Sequence, residues 1–185
     1  MPNDISLKDI QEEDIEQIRT WRNMPEISEY MYTNEIITAE QQKLWYENLK
    51  ISKSQKAWII EYNGKKLGVA SLYDIKEKFK TTYWAFYLGD SSVRGAGIGA
   101  KVEYNMCRYV FEEMKFNKLL CEVFVWNQQV ISMHEKFGFR RESYFREHII
   151  KDKKTYDVIG LALLKNEWNT IKDTMYAKLY GRPTG

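Results

Sequence analysis

Residues 94 to 99 read Arg-Gly-Ala-Gly-Ile-Gly and run at once into AKVEYNMCRYVFEEM. Glycine at every second position does not build a core, because each one removes side-chain packing and adds backbone entropy that folding must overcome. What it offers is bare backbone that a ligand can approach. Where a glycine-rich loop opens a helix, the first-turn amides have no intrahelical partner and the aligned peptide dipoles favour negative charge. The chemistry on offer is therefore phosphate binding, with Arg94 adding a cation that carries paired donors. The spacing fits neither the Gly-x-Gly-x-x-Gly of a dinucleotide fold nor the Gly-Lys-Ser/Thr of a nucleoside-triphosphate loop, and a plain turn before a helix is the competing reading. A second candidate is Glu122, alone in the apolar run LLCEVFVW. A carboxylate in a strand is costly to bury unless paired, and burial would raise its pKa towards a range useful for proton transfer; an outward-facing position would leave it solvated.

Those residues need elements to hold them. Leu7 to Ile10 reads as a short strand, and Asp14 as the N-cap of a helix with Ile15, Ile18 and Trp21 on its apolar face, stopped or bent at Pro25. Thr38-Ala-Glu-Gln41 is a capping box that starts a second helix through Leu44, Trp45 and Leu49, ending near Ser52. From Lys56 the period becomes that of strands: AWIIEY, the hairpin signal Asn63-Gly64, then KKLGVASLY. After a charged linker, DIKEKFK, the aromatic stretch TTYWAFYLG forms a third strand that leads to the glycines. The helix after Gly97 is amphipathic, 119 to 126 is a buried strand, and NQQVISMHEKFGF is a helix closed by Gly138. A hairpin turning at Asp152-Lys153 follows, so the order is α, α, then βββαβαββ, with KLYGRPTG as a tail.

Composition narrows the function classes. At 185 residues the chain is most simply one domain, taken as residues 1–178 with a tail at 179–185. Twenty-eight basic against 26 acidic side chains leave a formal charge of +2, so no global field favours nucleic acid or a membrane surface, and any anion must be bound locally. Cys107 and Cys121 lack metal-site spacing and read as buried free thiols, so no metal is expected. The start MPNDISLKDIQEEDI is polar and acidic where a signal peptide would be basic and then apolar, and a cytoplasmic location is expected.

The six residues from Arg94 to Gly99 resemble the pyrophosphate motif Arg/Gln-x-x-Gly-x-Gly/Ala of the GNAT acetyltransferases, matching each fixed position. The resemblance implies an α/β fold, the GNAT acyl-CoA N-acyltransferase fold, with a single mixed, mostly antiparallel seven-stranded sheet and helices on both faces. It implies acetyl-CoA as cosubstrate, cradled by Arg94, Gly95, Ala96, Gly97, Ile98 and Gly99, with Leu88 and Val93 beside it. The family's Asn-x-x-Ala-x-x-x-Tyr-Glu-Lys-x-Gly-Phe is similar to the run from Asn127 to Phe139, so Asn127 and Lys136 are expected at the cofactor. Val130 stands where that motif has alanine, and His134 where it has the tyrosine that protonates the departing thiolate. Histidine suits the task because its pKa lies near working pH; a packing role near the helix end is the alternative. Glu122 is the expected acceptor of the amine proton, and a backbone amide at the end of YWAFYLG is expected to polarise the thioester carbonyl.

The N-terminal third, with aromatic-Arg-Asn-x-Pro at 21 to 25 and aromatic-Met-Tyr at 30 to 32, resembles the PseH-type enzymes. These acetylate the 4-amino group of a UDP-linked 4-amino-4,6-dideoxy-N-acetyl-altrosamine in pseudaminic acid synthesis, which serves flagellin glycosylation. That resemblance makes Arg22, Met31, Tyr32 and Tyr87 the expected nucleotide-sugar contacts. Arg22 would supply a cation for the diphosphate and the aromatics a stacking surface. Two further readings stay open: a RimJ/RimL-like acetyltransferase of protein N-termini, which Glu26, Glu29 and Glu35 would suit, and a silent CoA-binding module. Either a monomer or a homodimer fits.

Overall fold

The computed structural model describes residues 5–90, 93 and 97–181. Seven strands form one sheet in the order β1-β2-β3-β4-β5-β7-β6. They are β1 (Ile5–Asp9), β2 (Lys56–Tyr62), β3 (Lys65–Lys76), β4 (Thr81–Leu88), β5 (Lys118–Phe124), β6 (Arg140–Lys151) and β7 (Lys154–Leu164). Every neighbouring pair is antiparallel except β4 and β5. The helices are α1 (Ile15–Arg22), α2 (Pro25–Ser28), α3 (Ala39–Ile51), α4 (Ile98–Arg108), α5 (Gln128–Lys136) and α6 (Lys165–Tyr180), and α4 ends in a π-helical turn, Tyr109–Glu113.

Strand alternation sorts the core onto two faces. Trp58, Ile60, Ala70 and Leu72 join the larger cluster with Val102 and Met106 of α4, Ile131 of α5 and Trp168 of α6, whereas Ile59 and Val69 point the other way and meet Ile18 and Trp21 of α1. Trp45 and Leu49 of α3 pack on that second cluster. The sheet is thus covered on both sides, and each buried leucine- or tryptophan-sized side chain is worth roughly 1.5–3 kcal/mol of transfer free energy.

Local rules explain most boundaries. Thr38 Oγ1 accepts from the Gln41 amide at 3.2 Å while Gln41 Oε1 accepts from the Thr38 amide at 2.8 Å, which is the expected capping box. Asn63 and Gly64 turn β2 into β3, and Asp152 and Lys153 turn β6 into β7, all four at positive φ. Pro25 stands at the first position of α2. Three expectations are corrected. Asp14 stands at the N-cap position of α1 as expected, but its side chain makes no cap bond there: it ends a 3-10 turn, Glu12–Asp14, and its Oδ2 accepts from the Gln11 amide at 2.9 Å. The charged stretch after Tyr73 is no linker, since β3 runs on to Lys76 and a tight turn leads directly into β4. The helix α6 has no counterpart in the expected order; it reaches Tyr180, and the side chains of Leu179 and Tyr180 pack on the larger cluster.

The pairing of β4 with β5 covers only Thr81↔Lys118, Thr82↔Leu119 and Tyr83↔Leu120, although both strands continue to Leu88 and Phe124. Beyond Tyr83 they splay. That opening is the entrance to the site.

Candidate active site

The splay widens into a cleft of about 1460 Å³, walled by the second half of β4, β5, the start of α4, α5, and the segment from α1 to α3. At its floor lies the start of α4. Gly97 is left-handed (φ 73°), a conformation that costs any L side chain roughly 1–2 kcal/mol, and space around it is open. It starts α4 at the cleft that Gly97, Ile98, Gly99 and Ala100 line, and the first-turn amides of a helix have no intrahelical partner. A Cβ on Gly99 would touch the Phe86 ring at 3.4 Å and the Met133 sulfur at 3.5 Å, so bare backbone keeps this passage open. Leu88, Val93, Asn127 and Lys136 line the same cleft. Arg94, Gly95 and Ala96 lie outside the described residues. The strand end opposite is fixed by Gly89, where a Cβ would overlap the Trp21 ring at 2.1 Å. This cradle fits a pyrophosphate and an extended arm.

Glu122 and His134 both border the cleft but live in different surroundings. Glu122 is half-buried, not sealed as the apolar run suggested, and its Oε2 accepts from Tyr32 Oη at 2.7 Å. Burial and this bond push the Tyr32 phenol well above its usual range. Tyr73 and Tyr83, stacked at 5.4 Å, are pushed up by burial and by the same Glu122 charge, so three protonated phenols surround one carboxylate.

His134 is only 3% exposed. Its Nδ1 lies 2.7 Å from Glu103 Oε1, a fully buried carboxylate on α4. Burial works against charge on both groups, pulling the imidazole down and pushing the Glu103 carboxyl up. The Cys121 sulfur and the Glu103 carboxylate beside the ring outweigh burial, and His134 ends above its ordinary value. Since burial pushes the Cys121 thiol up as well, the carboxylate is the charge that carries this. Cys107 and Cys121 are both free and buried.

The far wall is the segment from Arg22 to Ile37. Arg22, half-buried, and Tyr87 both line the cleft; burial pulls the guanidinium down and pushes the phenol up. Arg22 makes no ion pair among the described residues. Met31 and Tyr32 follow α2. Tyr32 meets the Phe124 ring edge-on at 5.4 Å, and Tyr30 meets Trp126 at 5.1 Å. The segment is pinned at both ends. Lys151 Nζ donates to the carbonyls of Glu29 at 2.6 Å and Met31 at 2.9 Å, and Asn34 Nδ2 donates to Asp152 at 2.7 Å. At the other end Asn23 exchanges two bonds with the Ile37 backbone, 2.9 and 3.0 Å.

Of the expected residues outside 94–96, all line this one cleft. Sequence reasoning missed Glu103, Lys151, Tyr73 and the part of Cys121 beside His134. Glu103 sits between Val102 and Tyr104 in an amphipathic helix that also carries Lys101 and Asn105, where an occasional acid draws no attention. Lys151 had no signal, because its partners lie 120 or more residues away. Among the described residues no group of His, Cys, Asp and Glu could hold a metal, and no helix is long and apolar enough to cross a membrane.

Comparison with known proteins agrees with this geometry. The chain is 26% identical over 133 residues to the SPbeta prophage-derived uncharacterized N-acetyltransferase YokL of Bacillus subtilis, covering 71% of this chain and 73% of that one. It is 26% identical over 138 residues to Acetyltransferase PseH of Campylobacter jejuni, covering 73% and 84%. Its fold matches a spermidine N-acetyltransferase from Vibrio cholerae solved with CoA and spermine, at a TM-score of 0.84 and 16% identity over 90% of this chain and 98% of that one. The sequence profile of the acetyltransferase (GNAT) domain matches residues 4–140. A sheet splayed at β4 and β5, a glycine-led helix at its opening and that profile over most of the chain lead to one conclusion: the chain belongs to the GNAT family of N-acetyltransferases.

Proposed function

We propose that the chain transfers acetyl from acetyl-CoA to the 4-amino group of a UDP-linked 4-amino-4,6-dideoxy-N-acetylhexosamine, the altrosamine of pseudaminic acid biosynthesis, by direct attack. The observation that carries the acceptor class is Arg22, a half-buried guanidinium on the cleft wall with no carboxylate partner among the described residues. A desolvated cation without a partner is costly, and an anionic ligand removes the cost. The aromatic wall of Tyr30, Tyr32, Phe124 and Trp126 offers stacking for a base or sugar. Bound acetyl-CoA supplies a thioester carbonyl and a thiolate leaving group. In this reading Arg94 to Gly99 hold its pyrophosphate, Asn127 and Lys136 its arm, and a backbone amide near Leu88 polarises its carbonyl. Glu122, fixed by Tyr32, takes the proton of the attacking amine, and His134 gives a proton to sulfur as the C–S bond breaks.

The second reading, acetylation of a protein N-terminal amine, draws on Glu26 and Glu35, which also line the cleft. A free-thiol assay with acetyl-CoA separates them. The arms are the UDP-altro sugar, its 4-epimeric gluco counterpart, a ribosomal N-terminal peptide and spermidine. Turnover of the altro sugar, with competition by UDP, is the expected outcome. Turnover of peptide or spermidine alone discards the sugar-nucleotide acceptor.

A further inference from the structure

Glu103 has no part in the chemistry assigned so far, yet it is the carboxylate with least access to solvent that the structure describes. It is 0% exposed, one oxygen contacts His134 at 2.7 Å, and the other, Oε2, is buried with no hydrogen-bond partner. An ionised carboxylate in that position is tenable only beside a positive charge, because desolvation otherwise drives it to bind a proton. The surroundings of His134 supply nothing else of that kind. From α4 the ring meets Glu103, and from β5 it meets Cys121. From β4 it meets Trp84, edge-on at 5.5 Å, and from the turn after α5 Phe139 at 5.4 Å, neither of which titrates. Glu103 and His134 therefore share one proton, and of the other groups against the ring only the Cys121 thiol titrates.

We propose that Glu103 is a positioning residue for acetyl transfer: it holds His134 as an imidazolium oriented through Nδ1, so that the other ring N–H, at the stretch of cleft lining that His134 shares with Cys121, is the proton donor to the departing CoA sulfur. The inference deepens the proposed role of His134 and rests on that reading. The step balances as follows. The tetrahedral intermediate collapses, the C–S bond breaks and its electron pair stays on sulfur. The sulfur takes the proton from the ring nitrogen that Glu103 does not hold. His134 is left neutral, still donating Nδ1–H to Glu103 Oε1, and regains its proton from solvent once CoA leaves. Before that moment the second N–H has the Cys121 sulfur beside it. A thiolate is a stronger acceptor than a neutral thiol, so the leaving group displaces Cys121 from that bond when negative charge develops. A tyrosine at this place would need no such partner, because the phenol is neutral when loaded with its proton. A buried histidine does need one, since it must carry charge to be an acid.

The test needs no acceptor. Only two histidines occur, His134 and His148, so ring nitrogen and proton resonances are assigned by replacing His148. In the wild-type protein at pH 8, His134 is expected to carry protons on both ring nitrogens. In Glu103→Gln, which keeps the shape and removes the charge, it is expected to carry one at the same pH. A wild-type His134 with a single ring proton at pH 7 overturns the proposal even if no Glu103 variant folds, and so does a Glu103→Gln variant whose His134 titrates unchanged. Thiol release with acetyl-CoA and the accepted amine is the second readout. Glu103→Gln should lower kcat by about 10- to 100-fold, leave the KM for acetyl-CoA within about twofold, and move the alkaline limb of the kcat profile to lower pH. An unmoved limb counts against Glu103. If the sugar nucleotide proves not to be the acceptor, the resonance result still stands and only the kinetic arm changes substrate.

Discussion

Cys121 and Glu122 are neighbours on β5, and the pleat sends them to opposite sides of the same strand. On one side Glu122 is half-buried, opens to the cleft and is held by the hydroxyl of Tyr32 from a long surface segment. On the other, Cys121 meets a sealed pair, Glu103 and His134, held by two helices. An open carboxylate can exchange protons with solvent every turnover, which suits a group that removes protons. A closed pair keeps its proton until a stronger acceptor arrives. In the proposed reaction one strand thus separates two kinds of proton chemistry, and the difference comes from solvent access.

The largest test of that contrast is Glu122→Gln. Acetyl transfer should fall by about 100-fold or more, with the KM for acetyl-CoA unchanged, since a general base contributes roughly 10²–10⁴. A loss under tenfold would remove Glu122 from the chemistry and leave the contrast without its open side.

Next comes Lys151→Met. It strips the buried Lys151 donor from the carbonyls of Glu29 and Met31, so the urea midpoint should drop by the equivalent of about 2 kcal/mol and the KM for the acceptor should rise more than that for acetyl-CoA. Equal changes in both constants would mean that the pinned segment does not serve the acceptor.

Tyr32→Phe removes one hydrogen bond to a charged group, about 1.5 kcal/mol, and should cost about tenfold in kcat/KM and lower Tm by roughly 3–6 °C. Rates equal to wild type would show that Glu122 needs no holder.

The smallest effect is one of pH. His134, beside the Glu103 carboxylate, binds its proton more tightly in the folded chain than in water. Its contribution to stability is therefore complete below the unfolded histidine value and is lost as pH rises through the folded one. Unfolding free energy measured from pH 6 to pH 9 should fall less steeply in His134→Asn than in wild type. A steeper fall in the variant would reverse the sign and contradict the shared proton.

Much of this was legible in the chain. The Thr38 box, the Asn63-Gly64 and Asp152-Lys153 hairpins and the closure of α5 at Gly138 are local, each set by residues within a few positions. Legibility failed where the same residue types serve two masters. Asp14 holds the N-cap position of α1, but its carboxylate is used one turn earlier, on the Gln11 amide. The α6 helix shows weak apolar periodicity, because Trp168 and Met175 alone are buried in it. Among the site residues, Glu122 was found because it stood alone in an apolar strand, whereas Glu103 was hidden in a helix where an occasional acid is ordinary.

By itself the sequence determined the glycine-led helix start, the alternation that gives the sheet two covered faces, and a histidine where a tyrosine stands in its relatives' motif. These follow from steric limits and periodicities that act over a turn or a strand. The tertiary structure alone decided which acid faces solvent, which is sealed against His134 across 31 residues, and how Lys151 reaches a loop 120 residues away. The physical reason is that proton affinity depends on burial and on the charges within a few ångströms, and both are fixed only when distant segments pack.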